Sequence, residues 1–193
     1  MATPSLTPTI FRNLIDSVAS YSELIPVMQL LTEQPIIKEY GNSFLHALAL
    51  LDSSHLDYDE WLFFYQKVSQ SFPEEQFDKS TYPSLMRVSC CEYGYMFLNK
   101  QGLFEKTITS LLQVMQNRGI TLRKRTLSPI IQAYHREGKG GMGMSIFALS
   151  KVNNISLDAI ALSCLLTSSS SLDQMTILQE ILGQTMLFDE MSI

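Results

Sequence analysis

Arg118-Gly119-Ile120-Thr121-Leu122-Arg123-Lys124-Arg125-Thr126-Leu127-Ser128-Pro129-Ile130-Ile131 carries the clearest structural signal in the chain. Gly119 reads as the cap that ends one helix, the stripe Phe104, Ile108, Leu111, Leu112 and Met115. Leu127, Ile130, Ile131 and Tyr134 then recur at the spacing of a second helix, which Gly138 stops. Two further segments share this pattern. Phe77-Asp78-Lys79-Ser80-Thr81-Tyr82-Pro83-Ser84-Leu85-Met86 precedes it, and Leu157-Asp158-Ala159-Ile160-Ala161-Leu162-Ser163-Cys164-Leu165-Leu166 follows. The shared order is a bulky residue, a cap-like polar position, a linker, an aromatic or Leu, two small residues and two aliphatics. The offsets are 45 residues from Tyr82 to Leu127 and 35 from Leu127 to Leu162. The turn recurs as well: Arg118-Gly119-Ile120-Thr121-Leu122 matches Asn153-Asn154-Ile155-Ser156-Leu157. A looser copy starts near Asn42-Ser43-Phe44-Leu45.

Two helices in a period of about 35 residues predict stacked helical hairpins, an all-α solenoid whose neighbours join their apolar faces into one core. Tyr82, Met86, Cys90, Tyr93 and Phe97 keep to one helical face, so the longer period predicts a first helix about three turns longer. Other stripes agree. Thr7 and Pro8 read as a helix start before Phe11, Leu14, Ile15 and Val18, and Leu24, Ile25, Met28 and Leu31 follow. Phe44 to Leu51 is apolar nearly all round, the pattern of a buried helix. Trp61, Phe64, Tyr65 and Val68 form the next stripe, which Pro73 ends. Ser171 and Gln174 form a capping box before Ile177, Leu178, Ile181 and Leu182. Gly138 to Gly143 reads as a turn or a frayed helix start. No run alternates with period two, so no strand is expected. Gly41 and Asn42 punctuate the chain, dividing N-terminal helices at 1–41 from the repeats at 42–193.

Composition sets the outer bounds. The chain has 193 residues, 46% of them hydrophobic and 17% charged, which excludes disorder throughout and fits one domain. No window reaches the roughly 18 apolar residues of a membrane span. The N-terminus lacks a secretory signal and is poor in arginine for a transit peptide. Three cysteines give no disulfide framework and suggest a reducing, intracellular compartment, without separating mitochondrion, nucleus and cytoplasm.

The hairpin ending in Gly119-Ile120-x-Leu122, followed by Thr126-Leu127-Ser128-Pro129-Ile130-Ile131-x-x-Tyr134, resembles the pentatricopeptide repeat. With its basic run, Thr, small residue and Pro, the segment is similar to the pentatricopeptide region of the protein-only RNase P family, over roughly residues 42–185. The resemblance implies RNA binding, through repeats that grip the elbow of a precursor tRNA. In that family a separate nuclease domain with clustered metal-binding aspartates cuts the 5′ leader, and a zinc-holding connector joins the two. Here the chain ends at Ile193, its late acids are Asp189 and Glu190, Cys90 and Cys91 are adjacent, and Cys164 stands alone. No catalytic residue, metal ligand or cofactor is therefore carried over. The expected partner is tRNA-like RNA, with any cut in 5′-leader processing left to a separate nuclease subunit, and no membrane is involved.

The formal net charge of −5 hides an asymmetry. Between residues 118 and 139 lie Arg118, Arg123, Lys124, Arg125, Arg136 and Lys139 against the single acid Glu137, a net +5 that leaves −10 for the rest. Such a stripe suits phosphates, while the acidic remainder disfavours indiscriminate binding; a solvated basic loop is the plain alternative. By the family's register, Ser128 with Asp158 would face a base and favour guanine, whereas Pro83 with Arg123 is no reading pair; helix capping is the competing role for Ser128 and Asp158. A second function class is a protein-interaction scaffold whose groove holds a peptide.

Other polar residues are weaker candidates. His46, His55 and His135 lack metal-ligand spacing, and His46 fits a core position. Asp57, Asp59 and Glu60 fit a helix start. Trp61, Phe63, Phe64 and Tyr65 fit the core. Gly138-Lys139-Gly140-Gly141 lacks the context of a phosphate loop.

Overall fold

The structure, a computed structural model, describes residues 38–51, 56–72, 74–168 and 172–179, with residues 25, 26, 29, 170 and 181. The expectations for Thr7, Pro8, the Phe11–Val18 stripe, Leu24, Met28, Leu31, His55, Pro73, Ser171, Leu182, Asp189 and Glu190 lie outside the described residues. Among the described residues every regular element is helical. A first compact unit, Met1–Ile120, holds α1 (Lys38–Leu48), α2 (Tyr58–Ser71), a 3₁₀ turn (Glu74–Gln76), α3 (Thr81–Cys90), α4 (Glu92–Lys100) and α5 (Phe104–Asn117). A second, Thr121–Ile193, holds α6 (Lys124–Arg136), α7 (Gly140–Val152), α8 (Ala159–Ser168) and a helical stretch at 172–179.

In the first unit α1 packs on α2 and α3, and α3 packs on α4 and α5. Phe44, Leu45, Leu48, Trp61, Phe64 and Val68 form the core, each buried side chain contributing about 1.5–3 kcal/mol of transfer free energy. Buried polar groups close loose ends. The Trp61 Nε1–H donates to the Leu48 carbonyl at 3.2 Å, and the Tyr93 hydroxyl donates to the Leu56 carbonyl at 2.6 Å. Tyr65 stacks on Trp61 with centroids 5.2 Å apart. Phe63 departs from the core expectation: it is 49% exposed, because it lies beside the Trp61–Phe64 stripe rather than on it. Asp57 and Glu60 form a reciprocal capping box on α2, at 2.8 and 3.2 Å, and Asp59 lies in the same first turn. His46 Nδ1 lies 2.9 Å from Arg87 Nη1, a partnered, half-buried histidine.

Gly41 and Asn42 do not interrupt the chain. Both lie inside α1, so a division between 41 and 42 would cut a helix. A Cβ on Gly41 would stand 2.5 Å from the Phe72 ring, so this glycine serves close packing, not a turn. The helix at Phe44 also ends earlier than expected, at Leu48, although Leu51 is still buried.

The longer repeat is not one long helix either. α3 stops at Cys90, and Cys91 adopts an extended backbone, φ −65° and ψ 167°. Its thiol donates to the Val88 carbonyl at 3.0 Å and accepts from the Gly94 N–H at 3.4 Å, capping α4. A Cβ on Gly94 would lie 1.8 Å from the Val88 oxygen, so only glycine permits this tight reversal. The helical face of Tyr82, Met86, Cys90 and Tyr93 is thus shared by two helices; all four are buried, and Phe97 is half-buried.

The matched turns have the same geometry. Gly119 and Asn154 both take the left-handed conformation, φ 61° and 54°. The next N–H reaches back five residues in each case, Ile120 to Met115 at 2.8 Å and Ile155 to Ser150 at 2.9 Å.

In the second unit α6 packs on α7 and α8. Leu127, Ile130, Ile131 and Tyr134 are all buried, as their spacing predicts. After the Gly138 turn, α7 begins at Gly140. A Cβ on Gly140 would meet the Ser168 carbonyl at 1.9 Å, so this glycine sets the approach of α7 to the end of α8. Ser170 caps the last helical stretch, its Oγ donating to Asp173 Oδ2 at 2.7 Å and accepting from the Asp173 N–H at 3.4 Å. In that stretch Ile177 is buried, but Leu178 is 44% exposed and off the expected stripe.

Candidate nucleic-acid interface

The cap-like position of the three repeat copies is Asp78, Arg123 and Asp158. In the first copy Asp78 Oδ1 accepts from the N–H groups of Ser80 and Thr81, at 2.8 and 3.2 Å, and Thr81 Oγ1 accepts in return from the Asp78 N–H at 3.0 Å. Burial by itself would raise the Asp78 carboxyl. Hydrogen bonds from Ser80, Thr81 and Asn42 outweigh it and hold the group below the usual carboxylate range. In the third copy Asp158 Oδ1 accepts from the Ala161 N–H at 2.9 Å and caps α8. Both acids also suit the positive end of the helix dipole.

The middle copy breaks this rule. Arg123 occupies the N-cap of α6 with an extended backbone, φ −138° and ψ 163°, and supplies no side-chain cap bond. Lys124 and Arg125 fill the first turn, which contains no acid. All three are exposed. Three cations therefore crowd the end of a helix where the backbone already carries partial positive charge, a locally unfavourable placement. Their field favours an incoming anion, and the helix itself gains nothing from them.

Arg118 belongs to the first unit, where its guanidinium sits over the Tyr82 ring, 5.0 Å from the centroid. Arg136 is exposed in the last turn of α6, and Lys139 is half-buried at the N-cap of α7. The 13 residues of α6 separate its two ends by about 18 Å. Within the second unit the cations of the stripe thus fall toward the two ends of α6, and Arg123, Lys124 and Arg125 form a compact exposed group at its start. Lys151, which the sequence window missed, adds an exposed cation in the last turn of α7, with Nζ 5.8 Å from the Phe147 centroid.

Ser128 and Asp158 do not present two free polar groups. Ser128 lies inside α6 and caps nothing. It is 2% exposed, and its hydroxyl is buried without a hydrogen-bond partner. Capping is therefore what Asp158 does and what Ser128 does not. His135 is half-buried on α6, with Nδ1 likewise buried and unpaired. The Cys164 thiol is pushed up by burial and by Asp158, against a smaller opposing effect of Arg136, so it is not an activated nucleophile. Among the described residues no three His, Cys, Asp or Glu side chains gather as a metal site, and no helix is long and apolar enough to cross a membrane.

These elements define an all-helical repeat protein of the α-solenoid class. Among solved structures, the chain is similar to the pentatricopeptide-repeat domain of Arabidopsis thaliana protein-only RNase P 1, crystallised in complex with tRNA. The TM-score is 0.65 with 14% sequence identity, over 93% of this chain and 91% of that one. No family model and no curated protein matches the sequence.

Proposed function

We propose that the chain is an RNA-binding helical-repeat protein that takes tRNA-like RNA, including precursor tRNA, through Arg123, Lys124 and Arg125. Arg136 and Lys139 are secondary contacts at the far end of α6. One observation carries this reading. At matched positions of the repeat pattern Asp158 caps α8 and Asp78 accepts from the Ser80 and Thr81 N–H groups just ahead of α3, whereas the middle copy has Arg123 ahead of two further exposed cations. Departures from local stability rules are expected where function requires them. The likeness to a pentatricopeptide domain solved with tRNA supports the choice of ligand. Cleavage of a 5′ leader would fall to a separate nuclease subunit, for which this chain would supply recognition.

A gel shift with precursor tRNA at low salt tests the proposal. The chain retards the RNA, and the triple variant Arg123→Ala, Lys124→Ala, Arg125→Ala loses at least about tenfold in affinity, as removal of phosphate contacts demands. Unchanged binding by that variant would remove the basis of the proposal. Recovery of a protein partner insensitive to RNase treatment, with no RNA bound, would favour the peptide-scaffold alternative.

A further inference from the structure

We infer that the first unit carries a docking site for a protein partner, a cavity that takes one large apolar side chain from a basic segment. The cavity lies among α1, α2, the 3₁₀ turn and α3 and measures about 190 Å³. Sites for whole small-molecule ligands run to about 300–1,000 Å³, so this one has room for a side chain and not for a cofactor. Buried Leu45, Val68 and Phe72 line it, together with half-buried Leu85. The Phe72 ring is wedged against Gly41 and the Phe77 ring, whose centroid is 5.1 Å away, so the lining is preformed. An apolar anchor seated in such a pocket is the usual energetic centre of a protein interface.

The charge around the cavity selects the segment. Ser69 and Glu74 are its exposed lining residues and mark its mouth. The Ser69 hydroxyl already donates to the Tyr65 carbonyl at 2.8 Å. Glu74 places a carboxylate there, with Glu75 next in the chain, and among the described residues neither side chain has a hydrogen bond or ion pair. Between Ser69 and Leu85 the sequence carries Glu74, Glu75 and Asp78 against Lys79, which does not line the cavity. The first unit as a whole holds the net −5 of the chain. This field repels phosphates and attracts cations, so the occupant is an apolar residue flanked by Lys or Arg, and not RNA. Arg123, Lys124 and Arg125 belong to the other unit, so the two sites are separate.

A chemical-shift titration of the full chain at low salt tests this with peptides Gly-Lys-Lys-X-Lys-Lys-Gly, where X is Leu, Phe or Gly. The Leu or the Phe peptide is expected to bind at least about tenfold tighter than the Gly peptide, as burial of one large apolar side chain demands. Ser69→Phe, at an exposed position of α2, obstructs the mouth without disturbing the fold and is expected to abolish that difference. Glu74→Gln combined with Glu75→Gln weakens all three peptides by about threefold or more and leaves their ratio standing. Equal binding of the three peptides to wild type, a tenfold preference that survives in Ser69→Phe, or failure of every peptide to bind overturns the inference. Full affinity in the double Gln variant overturns the choice of a basic segment.

Discussion

Ser128 holds a hydroxyl in a site that gives it nothing to bond, 2% exposed and surrounded by the packing of α6. A buried unpaired hydroxyl costs free energy that a methyl group does not. Ser128→Ala is therefore expected to leave stability unchanged or raise it by up to about 1 kcal/mol in urea denaturation, without weakening RNA binding. Asp78 gives the opposite case, with a carboxyl held low by its hydrogen bonds. A group whose folded value lies below its unfolded one stabilises the fold fully above the unfolded value. That stabilisation is lost as pH falls through the lower, folded value. The stability gap between wild type and Asp78→Asn should thus be largest near neutrality and narrow below the ordinary carboxylate range, which denaturation at a series of pH values measures. The acid itself was legible in the repeat pattern, and so was Asp158. Ser128 was not, because a helical register identifies a face without revealing how deeply a short side chain sinks into it.

Helices and turns were more legible than single side chains. Every stripe on a described helix has a buried face, since burial of a 3.6-residue pattern leaves a periodic trace in the sequence. The match between Gly119 and Asn154 was readable for the same reason: both supply the left-handed residue that ends a helix. Asn tolerates that conformation less well than Gly, so Asn154→Gly should raise stability by roughly 0.5–1 kcal/mol. Thermal unfolding followed by circular dichroism checks it. The break at Cys91 was hidden because Tyr82, Met86, Cys90, Tyr93 and Phe97 keep helical spacing across it. Its determinant is Gly94, whose missing side chain admits the Val88 carbonyl. Close approach also governs Gly140. Gly140→Ala would force its Cβ against the Ser168 carbonyl and is expected to cost about 1–3 kcal/mol, as overpacking generally does. Sequence gives the glycine and not the backbone it must clear, which only the paired helix reveals.

Over the whole molecule, charge is segregated. The second unit, Thr121–Ile193, has six Lys and Arg against six Asp and Glu, so the net −5 of the chain resides in Met1–Ile120. Within the balanced unit, Arg123, Lys124 and Arg125 form the compact exposed group, and α6 is less well capped for having them. This separates binding from stability. Arg123→Asp supplies the kind of cap that Asp158 gives α8, and should stabilise the fold by about 0.5–2 kcal/mol while weakening RNA binding. A residue whose removal improves the fold and harms the function is retained for the function. The most direct measurement is the salt dependence of tRNA affinity, for wild type and for the triple alanine variant at Arg123, Lys124 and Arg125, with unfolding measured on the same samples. The account predicts that the slope of log affinity against log salt becomes shallower by about two to three in the variant, with thermal stability equal or higher. An unchanged slope and affinity in a folded variant would contradict it.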